Sequence, residues 1–267
     1  VDVFLSSAFH HGESTVKKGD REYAYDHGHI TELSGKKVLD FSITKNVASM
    51  LIGVTLLLIL FISAARSYAN SVPKGLARFL EPLVLFVRDD IAIPNIGEAK
   101  YKKYMPYLLT VFFFIWINNL LGLIPSGANF TGNIAVTLTL AAITMINTNV
   151  SGTKTYWGHI FTPHVPFWLY PIMIPVELIG VISKPFALTI RLFANITAGH
   201  IIILSLVSLI FIFKSVFISP VSVGFVLFMS FLELLVAALQ AYVFTLLSAL
   251  FIGLALEEPH HDHEHAH

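Results

Sequence analysis

Seven ionisable or amide side chains sit inside two long apolar runs of this sequence. Each costs free energy there unless it is paired, hydrated or put to use. In the first run Glu177, Lys184 and Arg191 recur every seven residues. Seven residues are nearly two helical turns, so all three share one helix face. Asn195 extends that stripe by one turn, and His200 lies on the flank of the same helix. In the second run Glu233 and Gln240 are again seven apart and also share a face. Two chemistries fit. In one, Arg191 pairs with Glu233 and the polar stripes hold two helices together. In the other, the stripes line a hydrated path for an ion. The second is favoured, because a single holding pair needs only two of these positions and the rest are aligned and spread in depth.

Such residues require a lipid environment to be informative, and composition supplies it. The chain has 267 residues, 55% hydrophobic and 13% charged, with 22 Phe. Soluble domains carry about 25% charged residues. No Asp, Glu, Lys or Arg occurs from Tyr104 to Thr153, from Leu192 to Phe213, or from Leu234 to Leu256. Runs of roughly 18 such residues are long enough to span a bilayer. The zero net charge gives no sign of a nucleic-acid partner. The chain has no cysteine, which excludes disulfides, thiolate metal sites and thiol redox chemistry. No Gly-rich phosphate loop is present, so this chain is not expected to bind ATP. No metal or cofactor is expected.

These observations predict an all-α polytopic membrane protein with about five membrane helices and one surface amphipathic helix. Residues 1–46 hold seven acids, six Lys/Arg and four His, too polar for a core of their own, and read as an extramembrane arm. The membrane domain is 47–258, and 259–267 is a His-rich tail. The first span is 47–65. The piece 75–91 has amphipathic helical spacing suited to the membrane surface. Spans at 104–124 and 131–150 form a hairpin about the Pro125–Asn129 turn. Two long segments follow, 168–213 and 216–256. Forty-odd helical residues reach about 60–70 Å, twice a hydrocarbon core of about 30 Å. No polar loop breaks 216–256, so a long, tilted antiparallel hairpin is expected, with Pro175 and Pro185 as candidate kinks. Small residues at Ala187, Ala194, Ala237, Ala238, Ala241 and Ser248 are expected to let a curved partner approach closely.

Lys/Arg asymmetry sets orientation. Residues 66–103 carry seven and 125–133 none, so 66–103 faces the cytoplasm. Five spans then place the N-terminus outside and the C-terminus inside. Val at position 1 fits either a removed initiator or a cleaved leader, and a leader would export the arm.

The runs PVELIGVISKPFALTIRLFANITAGHIII (175–203), FLELLVAALQAYVFTLLSALFIGLALEE (231–258) and NNLLGLIP (118–125) resemble the a subunit of bacterial-type F-type ATP synthases. The likeness extends from about residue 45 to 258. It implies the stationary proton-channel subunit of a rotary motor, itself non-catalytic, in the bacterial inner membrane. It implies a c-ring and b-type peripheral stalk subunits as partners. The family's essential arginine would be Arg191, with Asn195 beside it and Gln240 on the final helix. Glu177 and Lys184 match polar positions in the same register. The family's carboxylate–imidazole pair falls on Glu233 and His200, lining the outer half-channel. In such a motor each ring carboxyl must be neutral in lipid and can ionise opposite Arg191. Arginine does not release its proton, so it relays none and separates two offset half-channels.

Other signals are weaker. The tail EEPHHDHEHAH has a metal-binding composition, yet a solvated tail is the favoured reading. His10, His11, His27 and His29 read as surface residues. Asn195-Ile196-Thr197 and Asn129-Phe130-Thr131 fit a glycosylation pattern by accident. Asn118 and Asn119 are placed either in an outer vestibule or as holding residues between helices. Two other functions compete: a self-contained secondary transporter, disfavoured by the lack of an internal repeat, and a membrane scaffold, which would tolerate changes at Glu177 and Gln240.

Overall fold

The computed structural model describes residues 15–18, 21–26, 29–33, 45–67, 75–124, 132–161, 167–213 and 218–256. The Pro125–Asn129 turn, the second glycosylation-like site, His10, His11, His27 and the His-rich tail lie outside the described residues. The chain divides into two compact units, Val1–Thr44 and Lys45–His267.

The first unit, read from the sequence as a polar arm, contains regular structure. It holds a three-stranded antiparallel sheet in the order β1-β2-β3, formed by Val16–Lys18, Arg21–Asp26 and His29–Glu32. Val16 faces Tyr23 across the first ladder, and Tyr23 faces Glu32 across the second. Tyr23 on the central strand is buried at 3% exposure. Opposite charges meet where Lys17 pairs with Glu22 at 3.4 Å, and these are register partners. Cross-strand pairs of this kind stabilise a small sheet without a large apolar core, which is why a count of apolar residues does not reveal it.

The regular elements described in the second unit are all helical, and among the described residues five helices are long and apolar enough to cross a membrane. The membrane-crossing helices are α1 (Lys45–Ser67), α4 (Tyr101–Gly122), α5 (Ile134–Ser151), α7 (Tyr170–Phe213) and α8 (Ile218–Leu256). Between them lie α2 (Leu76–Phe86), a π-helical turn (Val87–Ala92), α3 (Ile93–Ile96) and α6 (Lys154–Phe161). The amphipathic segment is helical as the spacing predicts. Its inner residues Val87, Ile91 and Ala92 are fully buried in the same core as α4 and α8, so membrane helices of this chain cover much of its apolar face. Arg88 and Asp89 pair on its open side at 2.7 Å.

Helix α4 is the centre of the core. Leu108, Phe113 and Ile115 are buried, and Phe112, Phe113 and Trp116 form an aromatic cluster that reaches Phe61 of α1 and Phe86 of α2. Helix α5 carries many threonines without exposing unpaired hydroxyls. Thr139, Thr144 and Thr148 each donate to the carbonyl four residues back, which satisfies a polar side chain inside an apolar medium. Asn133 caps its start, accepting from the Ala135 amide at 2.9 Å.

Each of the two long segments holds one continuous helix rather than two spans, α7 over Tyr170–Phe213 and α8 over Ile218–Leu256, and α7 keeps Pro175 and Pro185 inside it. At about 1.5 Å per residue, both exceed the thickness of a bilayer core. They pack as a hairpin, tied near its turn by Ser222 donating to the Leu206 carbonyl at 2.7 Å. The small residues divide. Ala237, Ala241 and Ser248 are buried within the chain, whereas Ala187 and Ala194 stay exposed. The first three therefore serve close packing of α8 inside the protein, not the approach of a partner.

Candidate polar site along the long hairpin

Helix α7 is long enough to carry its polar residues at different depths. Glu177, Lys184, Arg191 and His200 mark successive levels, separated by roughly 10 to 14 Å of helix rise. Arg191 lies on the exposed side of α7, among exposed Phe186, Ile190 and Ala194. Among the described residues no hydrogen bond or ion pair engages it. Glu233 is therefore not its partner.

The next turn joins the two helices. Asn195 Nδ2 donates to Gln240 Oε1 at 2.7 Å. Gln240 is 2% exposed, and its Nε2 has no partner. The contact holds α7 to α8 just beyond Arg191 and places two amides beside the arginine's level.

Beyond it, toward the start of α8, is a small cleft lined by Asn119, Asn195, His200 and Glu233, with Gly122 and Ala237. His200 and Glu233 are electrostatic neighbours across it. The Glu233 carboxylate lies so close to Gly199 that a Cβ at that position would collide with it. Nine residues separate His200 from Arg191, roughly half a turn in net rotation at 100° per residue. The imidazole thus faces the interhelical cleft and not the exposed face of Arg191.

On the other side of Arg191 is a second small cleft between α5, α7 and α8, which Tyr156 of α6 also lines. Its polar lining is Thr144, Thr148, Asn149, Tyr156 and Lys184. The Lys184 ammonium lies 5.4 Å from the Phe251 ring centroid, a position that stabilises a desolvated cation. Tyr156 donates from its hydroxyl to Asn149 Oδ1 at 3.1 Å. Burial first, and the nearby Glu177 carboxylate second, push its phenol above the ordinary range.

Asn118 and Asn119 separate in role. Asn119 lines the first cleft and donates to the Ala237 carbonyl at 3.3 Å. Asn118 is fully buried, donates to the Phe114 carbonyl, and faces α1, where a Cβ on Gly53 would come within 2.7 Å of its Oδ1. Tyr156, Asn149, Thr144, Thr148 and Gly199 join the candidate site although no sequence motif marks them. The i, i+4 spacing of Thr144 and Thr148 is the signal that points to a polar face on the third span.

Comparison with known proteins now bears on this arrangement. Residues 47–253 match the family model of the ATP synthase A chain. The chain is 50% identical over 237 residues to the ATP synthase subunit a of Chloroherpeton thalassium, covering 85% of this chain and 71% of that protein. It is 49% identical over 236 residues to that of Myxococcus xanthus, covering 86% and 78% respectively. It is 52% identical over 238 residues to ATP synthase subunit a 2 of Chlorobaculum tepidum, covering 84% and 67%. The match takes in both clefts, the arginine between them and the core that carries them. The chain belongs to the ATP synthase A chain family, whose members are non-catalytic membrane subunits of the proton-translocating F-type ATP synthase.

Proposed function

We propose that this chain is the stationary subunit that delivers protons to, and removes them from, a ring of c-type carboxylates through two offset half-channels kept apart by Arg191. The observation that carries this reading is the position of Arg191. It is exposed on an apolar face without a partner among the described residues, with one cleft that carries polar side chains before it along α7 and another after it. A guanidinium left in that position finds no counter-charge among the described residues. A carboxylate carried past it on a neighbouring ring would ionise there and nowhere else in lipid. The guanidinium does not deprotonate, so no proton crosses it directly.

In this reading Asn119, Asn195, His200 and Glu233 line the outer half-channel, with His200 and Glu233 passing protons as a pair across it. Glu177 and Lys184 belong to the inner half-channel. Gln240 holds Asn195 and sets the level of the arginine. Asn118 is a packing residue between α1 and α4. The exposed faces of α7 and α8 meet the ring, and b-type stalk subunits complete the stator. Lys/Arg asymmetry supports an orientation with the N-terminus outside and the C-terminus in the cytoplasm, in a bacterial inner membrane. The scaffold alternative loses its main support, because the charge pair it requires between Arg191 and Glu233 is not made.

The test is ATP-driven acidification of vesicles carrying the whole complex, beside passive proton permeability after removal of the soluble head. Arg191→Ala is expected to leave the complex assembled and to abolish pumping. Arg191→Lys is expected to substitute poorly, since a desolvated lysine gives up its charge. Near-normal pumping by Arg191→Ala would reduce Arg191 to a bystander and sink the proposal.

A further inference from the structure

The inner cleft has a wall that the membrane helices do not supply. It comes from the short link between α5 and α7. Tyr156, on α6, is held in place by three separate features. Its hydroxyl donates to Asn149 Oδ1 at the end of α5. Its ring lies against Gly152, where an added Cβ would come within 2.6 Å of Tyr156 Cδ1. Its backbone amide donates to Thr153 Oγ1 at 3.3 Å. Thr153 in turn grips the end of α8, because its amide and its hydroxyl both donate to the Ala255 carbonyl, at 3.0 and 3.3 Å. The last carbonyls of a helix have no partner within that helix, so this grip satisfies one of them and fixes the end of α8 against the link. One short segment therefore fastens the final helix and presents a phenol to the cleft that contains Lys184.

We propose that Tyr156 is a positioning residue of the inner proton path, seated by Gly152 and Thr153 so that its hydroxyl holds Asn149 and orders water beside Lys184 and Glu177. The inference deepens the half-channel reading and rests on it. A phenol suits this task, because it both donates and accepts and stays neutral at physiological pH. It orients a hydrogen-bonded chain without becoming a competing charge next to Glu177. Asn149 offers an amide oxygen that accepts from the phenol, and its side chain does not titrate. Losing the hydroxyl leaves the ring packing intact and removes only the polar edge. Adding a methyl at Gly152 does the reverse, displacing the ring without altering its chemistry.

The experiment uses vesicles containing the whole membrane sector, with passive proton flux normalised to the amount of assembled complex. Tyr156→Phe is expected to lower flux about fivefold to tenfold, as one lost hydrogen bond would. Gly152→Ala is expected to lower it similarly. Thr153→Val is expected to lower it, and Thr153→Ser, which keeps the hydroxyl, to restore it. A purely structural tyrosine would tolerate Tyr156→Phe. Because the chain has no cysteine, Asn149→Cys and Lys184→Cys each introduce its single thiol, and a membrane-impermeant maleimide reports which side reaches it. Labelling of both from the cytoplasmic side, together with the lowered flux, supports the proposal. Flux of Tyr156→Phe and Gly152→Ala within a factor of two of the parent overturns the role of Tyr156. If Arg191→Ala still blocks pumping in that case, the half-channel reading stands. Failure of both thiols to label from the cytoplasmic side overturns the inner cleft itself, and the proposal with it.

Discussion

Helices α4 and α7 are both apolar and both carry polar residues, yet they are used in opposite ways. Half of the apolar window of α4 is buried within the chain, against 6% for α7. The polar residues of α4, Asn118 and Asn119, are buried and bonded to backbone carbonyls. The arginine of α7 is exposed and has no bond among the described residues. Lipid and protein interior have similar polarity, so hydropathy alone does not tell a helix that organises the core from one that offers its face to something else. The difference lies in what each polar side chain touches. On α4 polar groups close contacts within the molecule. On α7 Asn195 also closes a contact, to Gln240, but Arg191 remains available for a partner outside the chain.

This contrast can be broken by mutation. The largest change in stability is expected on α4. Phe113→Ala removes a buried ring that touches Phe61, Phe112 and Trp116, at a cost of about 3–5 kcal/mol. Thermal unfolding of the detergent-solubilised subunit measures it. An unchanged midpoint would mean that α4 is not the organising helix. A smaller loss, about 1 kcal/mol, is expected for Asn195→Ala, which breaks the hydrogen bond to Gln240. Its effect on pumping should exceed its effect on stability, and equal losses in both would make that contact merely structural.

On the open face of α7 the expectation reverses. Ile202→Ala changes an exposed residue at 43%, almost in line with Arg191 on the helix, so the isolated chain should shift by less than about 0.5 kcal/mol. Co-purification with the ring should nevertheless weaken. If subunit stability falls and ring association does not, that face is not a docking surface. Across the outer cleft, replacing His200 or Glu233 singly by an apolar residue should slow proton entry without blocking assembly. The exchange His200→Glu with Glu233→His should restore part of the flux. A double exchange worse than either single change would show that the two groups do not cooperate.

The smallest effect concerns alkaline pH. Burial raises the Tyr156 phenol, so the fold favours its neutral form. The associated stability is fully present below the ordinary phenol value near 10 and is lost as pH rises through the higher folded value. Tyr156→Phe should therefore flatten the fall in stability above about pH 10. The change should be modest, since the ring is only partly buried, and an identical alkaline limb in parent and variant would exclude it.

The sequence alone determined the five membrane helices, the continuity of the two long ones, and the residues worth naming on them. Those follow from charge-free length and seven-residue spacing, which are properties of a single helix and need no partner. It did not reveal the small sheet, whose stability comes from pairing between strands. Nor did it tell Asn118 from Asn119, which are adjacent and chemically identical. Only packing decided that one meets Gly53 of α1 and the other opens on the cleft with His200 and Glu233. The part played by Tyr156 was equally hidden. It depends on Asn149, Gly152, Thr153 and the end of α8 converging, and contacts across a hundred residues of chain are set by the tertiary fold, not by local spacing.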